Sequence, residues 1–372
     1  NRLKKSGVKL LSEDITLKET IPFDKEMESF IQNVAAQAAL ALENSILIDQ
    51  VENLFEGFIS ASVQAIEQRD PTTSGHSERV ADMTVALAET VHNVDQGRFK
   101  DERYQPRALQ EIRYAGLLHD FGKIGVKEEV LVKAEKLHPR QWKQFEERVR
   151  LLRAEIRLKH HRDMIRMYQE EVDPMSLGLV DEQMQRDLAR VQAMHDQVAQ
   201  AKSPTVLVEG TFEALRAWCS EVIYDSDGKA LPWLTHEEFE ALSVRKGSLT
   251  QEERQEIESH VTHTFNFLVR IPWTKWLKQV PHIAHAHHEK LTGEGYPLGL
   301  SDKEIPLQAR MMTIADIFDA LTAADRPYKK AVTLDKAIEI LSYEEKDGNI
   351  DPDLFALFRE KRVWEVIRPY GM

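Results

Sequence analysis

The sequence predicts an all-α fold. Three observations point that way. From Lys25 to Asp70 the chain has no proline and a single glycine, Gly57. Two Thr-x-x-Glu pairs, Thr235 with Glu238 and Thr250 with Glu253, have the form of a helix capping box. Beyond residue 22, almost no stretch alternates apolar and polar residues as a half-buried strand does. With 372 residues, 42% of them hydrophobic and 30% charged, the chain suits a globular protein with sizeable cores.

Residues 1–22 hold short alternating runs, Val8-Lys9-Leu10 and Ile15-Thr16-Leu17. They read as the remnant of an upstream domain. The chain starts at Asn1 without an initiator Met, so we expect a piece of something longer, whose missing part is where an anchor would lie. Residues 23–70 read as a connector. Apolar residues recur there at Met27, Ile31, Val34, Ala38, Ala41, Ile48, Phe55 and Ile59, a heptad-like seam. At 1.5 Å per residue such a helix spans roughly 65 Å, more than one core needs. We read it as pairing with its copy in a homodimer. A helix packed inside its own subunit is the alternative. Asp70-Pro71 ends it, and a new helix carries Gly75-His76-Ser77-Glu78-Arg79-Val80-Ala81. Asn93 to Pro106 is a polar loop, and an apolar helix follows from about Leu109 to Leu118.

Residues 139–248 differ in character. Arg148 to Glu170 is dense in charge, with aliphatic residues at Val149, Leu152, Ile156 and Ile165. Asp173-Pro174 reads as a turn, and Glu182 to Lys202 as the return helix of an antiparallel hairpin. A further helix holds Phe212, Leu215, Trp218 and Val222, and Tyr224 to Pro232 reads as a loop. His160-His161 lies in the hairpin, where adjacent histidines on a charged helix are expected to be solvated.

Composition excludes some function classes. No run of eighteen apolar residues is present, as a membrane helix would need. No signal-peptide pattern appears either. Cys219 is the single cysteine, which rules out an internal disulfide framework and fits a cytoplasmic protein. A net charge of −13 argues against DNA or RNA as a partner.

The chemistry-bearing stretch is Tyr114-Ala115-Gly116-Leu117-Leu118-His119-Asp120-Phe121-Gly122-Lys123. Histidine offers a metal a neutral nitrogen, aspartate offers oxygens that can bridge two ions, and lysine suits a phosphate oxygen. Read blandly, the stretch is a helix end capped by Asp120, with Gly122 and Gly125 making the turn. Of 14 histidines, six (His260, His263, His282, His285, His287 and His288) crowd into one short span. Downstream come Gly293-x-Gly295-Tyr296-Pro297, Ala315-Asp316-Ile317-Phe318-Asp319 and Arg326-Pro327-Tyr328-Lys329.

These motifs, with His76 and the His-Asp-x-Gly-Lys string, resemble the HD-GYP family of bacterial cyclic-di-GMP phosphodiesterases, within the HD superfamily of metal-dependent phosphohydrolases. The resemblance runs over 59–138 and 249–360. It implies an HD-domain helical bundle in two parts, 71–138 and 249–372, with 139–248 inserted. Phe23 to Asn44 separately resembles the closing helix of a GAF sensory domain. The HD-GYP resemblance implies two divalent transition-metal ions, iron foremost and manganese as the alternative. His76, His119, Asp120 and Asp316 would hold one, with Asp120 bridging, and His260, His287 and His288 would complete the other. Lys123 and Asp120 would carry the catalysis, through a water activated between the ions. Arg79, Gly295, Tyr296, Pro297, Arg326 and Lys329 would line the substrate. The implied activity is hydrolysis of cyclic-di-GMP to linear pGpG, with a second cut to GMP left open. His263, His282 and His285 match no ligand position, and Asp319 is expected to orient a ligand.

Three departures stand out. Thr72 replaces the glutamate that three-metal relatives carry, so two ions are expected rather than three, and Glu67 should not reach the site. Thr292 replaces the usual acidic residue. The insertion widens the gap between His119 and His260. It keeps one rival reading open, a hydrolase of another cyclic dinucleotide; a second rival is a silent cyclic-di-GMP-binding or interaction protein, although such relatives usually lose ligands and all are retained here.

Overall fold

Good helix formers with no internal proline carry α1 from Lys25 to Arg69. Asp24 starts it, accepting a hydrogen bond from the Met27 amide at 2.8 Å. The computed structural model describes residues 2–3, 18, 20–21, 24–69, 74–204, 206, 210–323 and 331–370. Residues Asn1–Ser62 and Val63–Met372 form two compact units. In the first, β1 (Arg2–Leu3) pairs antiparallel with β2 (Thr20–Ile21). The runs Val8-Lys9-Leu10 and Ile15-Thr16-Leu17 lie outside the described residues. Every residue from 24 to 54 is exposed, Phe30, Val34, Leu40, Leu47 and Leu54 among them.

The second unit is helical, with α2 (His76–His92), α3 (Pro106–Leu118), α4 (Glu128–Leu131) and a 3-10 turn at Phe121–Gly125. Helix α2 packs on α3. Val80, Met83 and Leu87 of α2 and Ile112, Tyr114 and Leu118 of α3 are buried. Helix α3 starts three residues earlier than its apolar pattern shows, because Pro106 takes the first helical position.

The stretch 139–248 has a core of its own. Helices α5 (Pro139–Gln169) and α6 (Pro174–Ala201) lie side by side. Phe145, Val149, Leu152 and Ile156 of one meet Met184, Val191, Met194 and Val198 of the other, with Leu215, Trp233 and Leu242 closing the cluster. Ile165, read as part of that stripe, is exposed. The return helix starts at Pro174 and not near Glu182. Asp173 is its cap, accepting from the Met175 amide at 2.9 Å and the Ser176 amide at 3.2 Å. His160 is buried, not solvated; it bonds Asp187 across the hairpin at 2.9 Å.

Helix α7 (Thr211–Cys219) stops short of Val222, read as helical, and a β-hairpin runs from there through the segment read as a loop. Strands β3 (Val222–Tyr224) and β4 (Ala230–Pro232) pair with Ile223 opposite Leu231. Strands this short show no alternation, but the turn between them is written in the sequence. Asp225 Oδ1 accepts from the Asp227 and Lys229 amides at 3.0 and 2.8 Å, and Gly228 supplies a positive φ of 77°.

Helix α8 (His236–Leu242) and α9 (Gln251–Leu268) both begin in capping boxes, Thr235 with Glu238 and Thr250 with Glu253. Glu253 also holds the root of the excursion: Lys133 Nζ lies 2.6 Å from it and His138 Nε2 3.0 Å. Helices α10 (Val280–His285), α11 (Leu307–Thr322), α12 (Leu334–Lys346) and α13 (Pro352–Glu360) complete the bundle. Phe318 of α11 packs on Phe358 of α13 and on Trp364.

A test follows from the separate core. Leu152→Ala removes a fully buried side chain from the hairpin and should cost about 2–5 kcal/mol. The expected result is a lower urea midpoint with unchanged metal uptake by the folded protein.

Candidate metal centre

Five stretches of chain deliver the site. His76 is the first residue of α2, released from a loop by Gly75 in the left-handed conformation, φ 65°. His119 and Asp120 follow the end of α3. The 3-10 turn then presses against α9, which carries His260. A Cβ on Gly122 would lie 1.9 Å from the His260 carbonyl oxygen and 2.4 Å from the Thr264 nitrogen, so only glycine fits. The Gly122 amide donates to Thr264 Oγ1 at 2.8 Å, and that hydroxyl donates to the His119 carbonyl at 3.0 Å. Gly122 therefore serves close approach, not the turn of the bland reading, and Asp120 makes no cap with its side chain. His287 and His288 follow α10, and Asp316 and Asp319 lie one turn apart on α11.

The carboxylate of Asp120 sits in the middle. Its Oδ2 lies 3.5 Å from His119 Nε2, 3.7 Å from His76 Nε2 and 2.8 Å from Lys123 Nζ. Its Oδ1 lies 3.2 Å from His260 Nε2. Asp316 divides itself the same way, with Oδ1 at 3.3 Å from His76 Nε2 and Oδ2 at 3.9 Å from His288 Nδ1.

Tautomers decide what this arrangement can bind. His119, His260 and His287 each present Nδ1 to the carbonyl three residues upstream: Gly116 at 2.6 Å, Ile257 at 2.5 Å and Ala284 at 2.6 Å. A carbonyl only accepts, so each Nδ1 carries the proton and each Nε2 is a bare lone pair. All these Nε2 atoms are buried without a hydrogen-bond partner. Lone pairs facing carboxylate oxygens repel unless a cation lies between them. Nitrogen and carboxylate ligands of this kind suit divalent metal ions. His260, His287 and His288 converge as one group, and His76, His119 and Asp316 as another. His119, Asp120 and His287 form a third that overlaps both.

Protonation follows the same logic. Burial, together with the neighbouring histidines, lowers the pKa of His119 and of His287, and brings His288 to about 4, so these rings are neutral near pH 7. His76 differs. Burial opposes its charge, but bonds to Asp316 and Asp319 outweigh that and raise it from the usual 6.5 to about 9. Burial likewise opposes ionised Asp120, yet the Lys123 ammonium 2.8 Å away holds its carboxyl well below the usual range.

Around the centre stand residues with supporting contacts. Asp319 Oδ2 lies 2.7 Å from His76 Nδ1, which leaves Nε2 facing inward. Arg79, which the resemblance places with the substrate residues, forks onto Asp319 at 2.6 and 3.0 Å and so stands behind His76. Tyr296 lies at the rim, its ring 4.8 Å from His288. Gly295 permits the loop to fold back, since a Cβ there would meet the Lys290 nitrogen at 2.3 Å. Glu289, which sequence reasoning passed over, is buried and accepts from the Leu298 and Leu300 amides at 2.7 and 2.8 Å, fixing the loop through Pro297. Its place directly after His288 was the available signal. His285 stacks on Phe265 at 4.2 Å, and His263 packs on Gly125, both away from the centre. Arg326, Lys329, Asp70 and Thr72 lie outside the described residues.

An HD-domain profile matches residues 73–199 and a second HD-domain profile matches 232–354. The chain is an HD-domain protein. The first match runs from His76 through His119 into the helical hairpin, and the second resumes before α9. Among curated relatives, a 3′3′-cGAMP-specific phosphodiesterase of Vibrio cholerae is 40% identical over 120 residues, 32% of this chain and 25% of the relative. A cyclic di-GMP phosphodiesterase response regulator of Xanthomonas campestris is 36% identical over 113 residues, 30% of this chain and 29% of the relative. A cyclic di-GMP phosphodiesterase of Thermotoga maritima is 34% identical over 128 residues, 34% of each chain. The matched stretches thus span about a quarter to a third of these relatives' lengths. Among the described residues, no helix is long and apolar enough to cross a membrane.

The raised pKa of His76 makes a testable pH dependence. In metal-free protein the charged ring stabilises the fold fully below pH 6.5, and that contribution fades as pH rises through about 9. Denaturant unfolding of chelator-treated protein should show a loss of up to about 3 kcal/mol across that window. His76→Gln should flatten the profile.

Proposed function

We propose that this protein is a metal-dependent phosphodiesterase that hydrolyses cyclic-di-GMP to the linear dinucleotide. The observation that carries the reading is Asp120, whose two oxygens face two separate histidine groups. His76, His119, Asp120 and Asp316 would hold one ion, and His260, His287 and His288, with the other Asp120 oxygen, a second. Bound there, two divalent ions would neutralise phosphate charge and make a water nucleophilic at neutral pH. The donor set fits iron first and manganese second. The HD-domain matches and the relatives' names support the reaction class.

The chain's own residues do the rest. The bare Nε2 atoms of His119, His260 and His287 need shed no proton on loading. Lys123 Nζ, 2.8 Å from Asp120 Oδ2, puts an ammonium where a phosphoryl oxygen gains charge during displacement. Tyr296 offers an aromatic face at the rim for a guanine. A second cyclic dinucleotide, 3′3′-cGAMP, is the competing substrate, because the Vibrio relative is named for it.

The experiment is hydrolysis by anaerobically loaded protein with cyclic-di-GMP and 3′3′-cGAMP side by side, products resolved by chromatography. Elemental analysis should give about two ions per chain. Asp120→Asn should abolish turnover while the fold stays intact. Lys123→Ala should keep the metals and lose about two orders of magnitude in kcat. Wild-type rates in both variants would remove the hydrolase reading.

The exposed seam of α1 supports a homodimer in which a second copy covers Met27, Ile31, Val34 and Ile48. Light scattering should give a dimer for the whole chain and a monomer for a variant with Val34→Glu and Ile48→Glu. A monomeric wild type would exclude it.

A further inference from the structure

The last turn of α1 reaches both sides of the metal centre. Helix α2 has no side-chain cap of its own; Gly75 holds the cap position and can offer none. Glu67 supplies the cap from α1. Its carboxylate accepts from the Gly75 amide at 2.8 Å and from the Ser77 amide at 3.2 Å. Those amides flank His76, so Glu67 grips the backbone on either side of a candidate ligand. A carboxylate at a helix N-terminus also complements the positive end of the helix dipole.

Arg69 works on the opposite side. Its guanidinium donates to the carbonyls of Lys123 at 3.4 Å, of Val126 at 2.7 Å and, between them, of Ile124. These carbonyls belong to the turn that carries Lys123 and follows Asp120. Two residues apart on one helix, Glu67 and Arg69 thus bind the backbone at His76 and the backbone at Lys123. Val63 and Ile66, just before them, are buried and anchor the turn.

We propose that Glu67 and Arg69 are positioning residues for the metal centre, setting the spacing between His76 and the Asp120–Lys123 turn. This rests on the phosphodiesterase reading above. Neither side chain need touch metal or substrate for the effect. Glu67 aims His76 through two amides, and Arg69 aims Lys123 through a fork that lysine cannot reproduce.

The test uses the whole chain with Glu67→Gln, Arg69→Lys and Arg69→Ala. For each, metal affinity is read by competition with a chelator, and kcat and KM are measured per folded, metal-loaded molecule. Glu67→Gln should weaken one of the two ions by about 10–100-fold, the usual effect of losing a partner behind a ligand. Arg69→Lys and Arg69→Ala should keep both ions and lower kcat by about tenfold or more, with KM within about twofold. A merely structural role would lower the unfolding midpoint and leave affinity and kcat untouched. Wild-type affinity in Glu67→Gln with wild-type kcat in Arg69→Lys overturns the proposal even if Arg69→Ala does not fold. A wild type that neither retains metal nor hydrolyses cyclic dinucleotides fails the parent reading, and the positioning role falls with it.

Discussion

Everything near the centre answers to one electrostatic problem: acceptors without protons are packed against carboxylates in a buried space. His260 Nε2 stands 3.2 Å from Asp120 Oδ1 with no hydrogen to share. Lone pairs of this kind would each carry a desolvation penalty of about 1–3 kcal/mol. In the metal-free chain, Lys123 and protonated His76 meet part of the demand. Divalent charge would meet the rest, which is why loading and stability should move together.

Much of the fold was legible because its signals are local. The absence of proline gave α1, and Thr250 with Glu253 gave the start of α9 within a residue. The β3–β4 hairpin escaped because strands of three residues carry no period, although Asp225 and Gly228 already spelled its turn. His160 was misjudged because its partner, Asp187, lies on the facing helix. At the centre, histidine and aspartate types in sequence order pointed to residues that do converge in the fold. The supporting contacts were illegible for a plain reason. Arg79 with Asp319, Glu67 with Gly75 and Arg69 with Val126 are long-range pairings with no periodic trace.

The excursion over 139–248 is tied to the helix that carries His260 by a shared carboxylate. Glu253 caps α9, binds Lys133 before the excursion and accepts His138 at its first helix. Its Lys133 partner is almost wholly buried, so this pair is not a screened surface bridge. Helix α9 presents His260 two turns later. The root of the excursion and His260 are therefore held by one helix, α9.

Each of three histidines is aimed by a carbonyl only three residues behind it. Aim is thus a property of a short peptide, carried wherever that peptide goes. Long stretches between the peptides can then be gained or exchanged without retuning the imidazoles, provided that the helix ends stay where they are. The helical hairpin between His119 and His260 leaves the aim of those two rings untouched, because each carbonyl lies within its own short peptide.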